Sequence, residues 1–151
     1  MNKLQDLRAQ LLNFVDGLKE SPDTLHTFAD KGKIVCNSLT LSFEYQYTAN
    51  VILTDFSGDS DKVMLVLLAW YQQHQQDKCF PTNFEFEADI LANDKVDLSI
   101  KLELTERVIV SKNSAGQIES ITHPPEPMLD IETFAWPSEL FINGVANEWK
   151  L

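Results

Sequence analysis

The alternation of polar and apolar residues is clearest in residues 41–56, which read LSFEYQYTANVILTDF. From Leu41 to Leu53 every second side chain is apolar or aromatic, and among the residues between them only Ile52 is not polar. Successive side chains of an extended strand point to opposite faces of a sheet. The segment is therefore predicted to be one long strand with an apolar and a polar face. Three roles are open for the polar face: catalysis, partner binding or contact with solvent alone.

Two helices are predicted by apolar residues at helical spacing. The first begins near Leu4 and runs for about five turns, stopping within residues 17–22, which contain a glycine and a proline. The second covers residues 61–76, with Asp59 or Ser60 as its N-cap. Because its first half is apolar on nearly all sides, we expect this helix to be buried against the sheet.

Five more strands are predicted by the same alternation. Residues 25–37 are expected to form two of them, joined by a turn at residues 30–32. Residues 84–91 and 96–110 are separated by the short segment ANDK, so they are expected to pair as an antiparallel hairpin. The last strand is predicted in the sequence GQIESITH.

The predicted element order is α-β-β-β-α-β-β-β. Antiparallel sheets with one polar face commonly carry their helices on the other face. We therefore predict an α+β fold, with a mostly antiparallel sheet of about six strands and two helices packed on one face. Glu106 interrupts the apolar side of its strand, which predicts a β-bulge or the edge of the sheet at that point.

The predicted α+β domain occupies residues 1–123, and residues 124–151 are predicted to be a proline-rich linker followed by an apolar C-terminal arm. The sequence HPPEP favours a stiff, extended linker. Two conformations remain open for the arm: a helix that begins at Pro137, or a hairpin that turns at Asn143–Gly144.

The C-terminal arm is a candidate docking segment, because tryptophan is enriched at binding hot spots. Docking onto a neighbouring subunit and folding back over its own domain are equally consistent with the sequence. The candidate docking residues are Trp136, Leu140, Phe141 and Trp149.

Composition limits the function classes. A chain of 151 residues with 44% hydrophobic residues is the size of one domain with a sizeable core. Its net charge of -11 disfavours binding to nucleic acid or anionic lipid and favours basic partners. The longest apolar run, VMLVLLAWY, is about half of the ~20 residues that cross a membrane. With no signal peptide at the N-terminus, we expect a cytoplasmic protein in which Cys36 and Cys79 are reduced.

Acidic side chains on the polar strand faces are the first candidates for chemistry: Glu44, Glu85, Glu87, Asp89, Asp97 and Glu103. Converging carboxylates bind divalent cations or act as an acid–base pair. However, side chains two residues apart on a strand are separated by about 7 Å and form a row. A surface that faces solvent or a partner is therefore favoured over a metal-dependent hydrolase.

Other catalytic patterns are missing from the sequence. The histidines His26, His74 and His123 fall on three predicted elements, without zinc-ligand spacing. Ser57–Gly58 lacks the strand–turn–helix context of a nucleophile elbow, and no glycine-rich phosphate cradle is present. We predict no enzyme activity, no metal and no cofactor.

Several motifs resemble the tail completion protein R family of temperate contractile-tailed bacteriophages. The most specific are LSFEY.Y, GD.D and DLSI.L.LTERV, and the similarity extends in order from Leu4 to HPPEP. QQDKCFPTN looks like a variable loop, and the resemblance does not extend beyond Pro127.

The resemblance implies a structural morphogenesis protein that acts at the head-proximal end of the tail and allows the tail to join a filled head. Its implied partners are the tail tube and head–tail connector proteins. By analogy with small tail terminators, a homo-oligomeric ring is expected, with six subunits. The implied location is the cytoplasm of a bacterial host during assembly and then the virion tail. The alternative is a cytoplasmic adaptor that binds a basic protein through its acidic sheet face.

Overall fold

The computed structural model describes residues 1–37, 39–75, 84–91 and 94–126, together with the backbone of 139–142 and 145–148. In chain order, the helices and strands are α1 (Asn2–Phe14), β1 (Leu25–Cys36), β2 (Phe43–Phe56), α2 (Ser60–His74), β3 (Glu85–Ile90), β4 (Val96–Lys112), β5 (Ile118–Thr122), β6 (Glu139–Ile142) and β7 (Val145–Glu148). A short 3-10 helix at Pro22–Thr24 precedes β1.

The central sheet is antiparallel throughout. Its strand order is β1-β2-β4-β3, and β5 pairs with the end of β4 that extends beyond the other strands. The longest ladder joins β2 to β4, from Phe43 opposite Val108 to Phe56 opposite Val96. The predicted α+β class is confirmed, with five strands in this sheet instead of six. β6 and β7 form a separate two-stranded sheet.

The prediction of two strands in residues 25–37 was wrong. Both halves of β1 pair with β2, and the register shifts between Asp30 and Lys33. Lys31 has a positive φ of 49°, so the residues expected to reverse the chain form a β-bulge instead. The reason is that the 14-residue strand β2 is long enough to pair with both halves of β1.

The first helix is also shorter than the predicted five turns. It has 13 residues and ends at Phe14, after which Val15 is extended. Gly17 then adopts a positive φ of 82°, a conformation that glycine tolerates and a right-handed helix excludes. Val15 and Leu18 are nevertheless buried, because the segment after the helix packs on the core.

The hydrophobic core lies between the two helices and one face of the sheet. Its sheet side includes Tyr47, Ala49, Val51 and Leu53 of β2 and Leu98, Ile100, Leu102 and Leu104 of β4. Its helix side includes Leu4, Leu7 and Leu11 of α1 and Val63, Val66, Leu67 and Trp70 of α2. Each fully buried leucine or valine contributes about 1.5–3 kcal/mol of transfer free energy.

The second helix begins as the sequence indicates. Asp59 is the N-cap, and its carboxylate accepts a hydrogen bond from the Asp61 N–H at 2.9 Å. Its expected burial on nearly all sides is correct only for the side that faces the core. Leu65 and Leu68 remain 36% and 42% exposed, because the sheet covers one side of the helix only.

Candidate interaction surface of the sheet

All six acidic candidates lie on the sheet face opposite the helices. On the long strands, Glu44 is opposite Arg107 and Glu103 is opposite Thr48. On the β3 side, Glu85, Glu87 and Asp89 are opposite Lys101, Ser99 and Asp97. We call this face, with these six acids, the polar face.

Three acids of the polar face each make one polar contact. Thr48 Oγ1 donates to Glu103 Oε1 at 2.7 Å, and Gln46 Nε2 donates to Glu44 Oε1 at 2.6 Å. Lys101 Nζ lies 3.6 Å from Glu87 Oε1. The Lys101–Glu87 ion pair is exposed and contributes little to stability. Glu87 and Glu103 are exposed to solvent or to a partner, whereas Glu44 is partly buried.

The acids are spread in a row. Asp89 lies directly opposite Asp97, a like-charge pair that destabilises the sheet locally. The Asp97 carboxylate is engaged elsewhere, because Oδ1 accepts a hydrogen bond from the Asp55 N–H at 2.8 Å. Within the described residues, no group of three or more His, Cys, Asp or Glu side chains is placed to share a metal ion.

The edge strand β3 carries apolar side chains that the helices do not cover. Phe86 and Ile90 are 63% and 89% exposed. Phe86 is nevertheless opposite Ile100, which is fully buried, so Phe86 lies on the helix side of the sheet. Tyr71 of α2 reaches only the residue before β3, where its ring makes an edge-to-face contact with Phe84 at 5.1 Å. β3 therefore extends beyond the helices that cover the rest of this face.

No pattern in the sequence predicts this exposure. The alternation in FEFEADIL is the same whether or not a helix covers the apolar side, so Phe86 and Ile90 read as ordinary core residues. Only the position of β3 outside β4 reveals them as surface residues.

The opposite edge strand, β1, is also open and carries lysines. Lys31 and Lys33 are exposed and make no ion pair with another described residue. Lys33 is opposite Gln46 and so belongs to the polar face, whereas Ile34 is opposite Tyr45 on the helix side and is 60% exposed. The two edges of the sheet thus differ in charge.

A buried carboxylate connects α1 to the sheet. Glu106 is buried within an unbroken register between β2 and β4, so the bulge alternative is wrong. β3 pairs with β4 only as far as Lys101, which agrees with the sheet-edge alternative. The Asn2 N–H donates to its Oε2 at 2.8 Å, and the Tyr47 hydroxyl donates to its Oε1. Asn2 is the first residue of α1, where a negative charge is stabilised by the helix dipole.

The same buried site determines the direction in which the pKa of Tyr47 is shifted. Burial raises the pKa of the Tyr47 phenol well above its usual range, and the hydrogen bond to Glu106 and the Glu106 charge raise it further. A hydrogen bond with the Leu4 backbone acts in the opposite, lowering direction. Because Glu106 is enclosed by its own chain, we assign it to stability and not to catalysis.

The buried amide of Gln75 covers the part of β4 that β3 does not reach. β3 pairs with β4 only from Val96 to Lys101. Beyond that point, the Thr105 N–H donates to Gln75 Oε1 at 2.6 Å, and Gln75 Nε2 donates to Thr105 Oγ1 at 3.1 Å. The side-chain amide therefore satisfies a backbone N–H that a neighbouring strand would otherwise bind.

The start of the predicted linker lies against the helices. Lys3 forms an ion pair with the largely buried Glu126 carboxylate and also donates to the His74 carbonyl at the end of α2. Trp70 Nε1 donates to Asp6 Oδ2 at 2.7 Å and joins the two helices at the same end.

Two further sequence predictions have partial outcomes. Cys36 is a free, exposed thiol at the end of β1, and Cys79 lies outside the described residues. Among the described helices, none is both long and apolar enough to cross a membrane.

Comparison with known proteins decides the family. The family model described as P2 phage tail completion protein R (GpR) matches residues 1–127. The chain belongs to this family. The protein named "Tail completion protein R" of Escherichia phage P2 is 40% identical over 157 residues, which cover 99% of this chain and 99% of the relative. No solved structure matches the chain.

Membership in the tail completion protein R family confirms the resemblance seen in the motifs and establishes a structural role in phage tail assembly. The family match ends at Pro127, one residue after the last described residue of the linker, Glu126. It therefore contains both edges of the sheet and the whole polar face.

The C-terminal arm follows the matched region. Its backbone forms the β6–β7 hairpin, with Phe141 opposite Ala146, which agrees with the hairpin alternative. Of the candidate docking residues, Leu140 and Phe141 belong to β6, whereas Trp136 and Trp149 lie outside the described residues. Docking by the arm stays a prediction.

Proposed function

We propose that this chain completes the head-proximal end of a contractile phage tail, so that the tail can join a filled head. The observation that carries the proposal is the match over nearly the full length to a protein named for tail completion. The direct partners are the tail tube and the head–tail connector proteins. The chain assembles in the cytoplasm of the bacterial host and then resides in the virion tail.

The working form is a homo-oligomeric ring stacked on the tail tube, with six subunits by analogy with tail terminators. A closed ring requires two different and complementary patches on each subunit. The two open edges of the sheet, which differ in charge, support such a head-to-tail arrangement.

The polar face stays hydrophilic in the ring, either on its outer surface or in its lumen. Like charges repel over distances of about a Debye length, ~8 Å at physiological ionic strength. Carboxylates that line a lumen would therefore let DNA pass without binding it. The C-terminal arm docks on a neighbouring subunit and contributes to assembly.

The role is structural, and no reaction is assigned to the chain. The polar face holds its carboxylates in a row along the strands, and the buried carboxylate of Glu106 is satisfied by its own chain. These arrangements support a scaffold for protein contacts.

Electron microscopy of a lysate of the phage with this gene deleted tests the proposal. We expect filled heads beside detached tails, and overlong tails would support a terminator ring. Restoring the gene on a plasmid should restore joined particles and plaques. Intact, infectious virions from the deletion would overturn the proposal and favour the cytoplasmic adaptor that binds a basic protein.

A further inference from the structure

Both outer strands of the sheet lack a neighbour among the described residues. In the order β1-β2-β4-β3 every adjacent pair is antiparallel, so β1 and β3 run in opposite directions. Subunits related by rotation about a ring axis all have the same orientation relative to that axis. If β3 of one subunit lies beside β1 of the next, the two strands are antiparallel and the sheet continues across the boundary.

On the helix side of the sheet, both edge strands carry exposed apolar side chains. β3 presents Phe86 and Ile90, and β1 presents Ile34, all of them more than half exposed. In a continuous sheet these residues lie on the same side, where contact between them removes apolar surface from water. An exposed edge with apolar side chains is a template for strand pairing.

On the polar face, the two edge strands carry side chains of opposite charge. β3 carries Glu85 and Glu87, whereas β1 carries Lys33, with Lys31 at the bulge. Asp30 is the nearest acid on β1, and its Oδ1 accepts a hydrogen bond from the Lys31 N–H at 2.7 Å. Opposite charges across an interface steer the correct pairing and disfavour like-charged alternatives.

We infer that β3 of one subunit pairs with β1 of a second copy of this chain, with Glu85 and Glu87 facing Lys31 and Lys33. This inference rests on the proposed ring and names its subunit interface. Pairing of β3 with β3 would place Glu85, Glu87 and Asp89 against their own copies, so the charges select the head-to-tail contact.

The geometry of this pairing is that of a closed sheet. In the strand registers, Glu85 aligns across the sheet with Lys101, Asn50 and Phe28. Lys33 aligns with Gln46, which lies four residues from Asn50 on β2. Facing Glu85 with Lys33 requires a stagger of about 13 Å between subunits at about 3.3 Å per residue. Across four strands, about 19 Å wide, this stagger corresponds to a strand tilt of about 35°, close to the tilt of closed β-sheets.

A charge-swap experiment tests the pairing. The deletion phage is complemented with wild type, Glu85→Lys/Glu87→Lys, Lys31→Glu/Lys33→Glu, or all four substitutions together, and infectious titre is measured. Each double reversal should lower the titre on the order of tenfold or more, because facing like charges weaken an interface. The fourfold swap should restore the titre towards that of wild type.

The matched control is Glu20→Lys/Glu119→Lys, which makes the same charge change at exposed positions outside β1 and β3. It should leave the titre unchanged, and thermal unfolding of each purified variant establishes that it folds. Double reversals with wild-type titre, or a fourfold swap as poor as either double reversal, would overturn the pairing. The second result would instead support Glu85 and Glu87 as lumen residues.

Complementation with the wild-type gene distinguishes a failure of this inference from a failure of the proposed function. If the deletion abolishes plaques and wild type restores them, the completion role stands whatever the variants do. If the deletion phage forms plaques at wild-type titre, the completion role itself fails, and the pairing inference fails with it.

Discussion

Tyr47 of β2 donates a hydrogen bond to Glu106 of β4 on the face of the sheet that packs on the helices. The Asn2 N–H binds the other carboxylate oxygen, so the pair attaches the N-terminus of α1 to the sheet. A buried charge is tolerated here because donors from two elements satisfy it.

Removing the Tyr47 hydroxyl should destabilise the fold. Tyr47→Phe leaves Glu106 Oε1 buried without this donor, which costs about 1–3 kcal/mol in free energy of unfolding. Urea denaturation measures this difference directly. Tyr45→Phe is the matched control, since the Tyr45 hydroxyl makes no hydrogen bond to a described residue. Equal losses for the two variants would contradict a specific role for the Tyr47–Glu106 contact.

Stability should fall at high pH because the folded state raises the pKa of Tyr47. Above the ordinary tyrosine pKa of about 10, the unfolded chain loses this proton while the folded chain retains it. Unfolding then releases a proton, so the free energy of unfolding decreases as pH rises, by up to about 1.4 kcal/mol per pH unit.

The measurement is urea denaturation of wild type and Tyr47→Phe between neutral pH and pH 11. The difference in stability between the two proteins should be constant below the ordinary tyrosine pKa and shrink above it. A difference that is independent of pH across this range would show that Tyr47 ionises in the folded state as readily as in the unfolded chain.

Loss of the Gln75 amide should also destabilise the fold. Gln75→Ala leaves the Thr105 N–H buried without a partner, at a cost of about 1–3 kcal/mol. Gln72→Ala, at an exposed position of α2, should change stability by less than about 0.5 kcal/mol. Thermal or urea unfolding of both variants gives the comparison. Similar small effects would mean that water replaces the amide at the edge of β4.

The uncovered residues of β3 should matter for assembly and not for folding. Phe86→Thr and Ile90→Thr should each change the free energy of unfolding by less than about 0.5 kcal/mol, because both side chains are already exposed. By contrast, Leu102→Ala in the core should cost about 2–5 kcal/mol. In complemented deletion phage, the β3 variants should reduce infectious titre. Wild-type titre for both would remove the apolar part of the inferred interface.

Much of the fold could be read from local patterns. Alternation identified β2 and β4, and helical spacing identified α1 and α2, because residues that share a buried face repeat with the period of their own element. The polar face was predicted for the same reason, since the register of Glu44, Glu103 and the β3 acids follows from alternation once the strands pair.

The amino-acid sequence by itself determined the fold class, the helices, the face on which each strand residue lies and, through its motifs, the tail completion family. Only the tertiary structure decided that β1 is one bulged strand, that Glu106 is buried beneath α1, and that Phe86 and Ile90 are left uncovered. The reason is physical: periodicity records which side chains share a face, whereas strand partners and helix coverage depend on contacts between residues far apart in the chain.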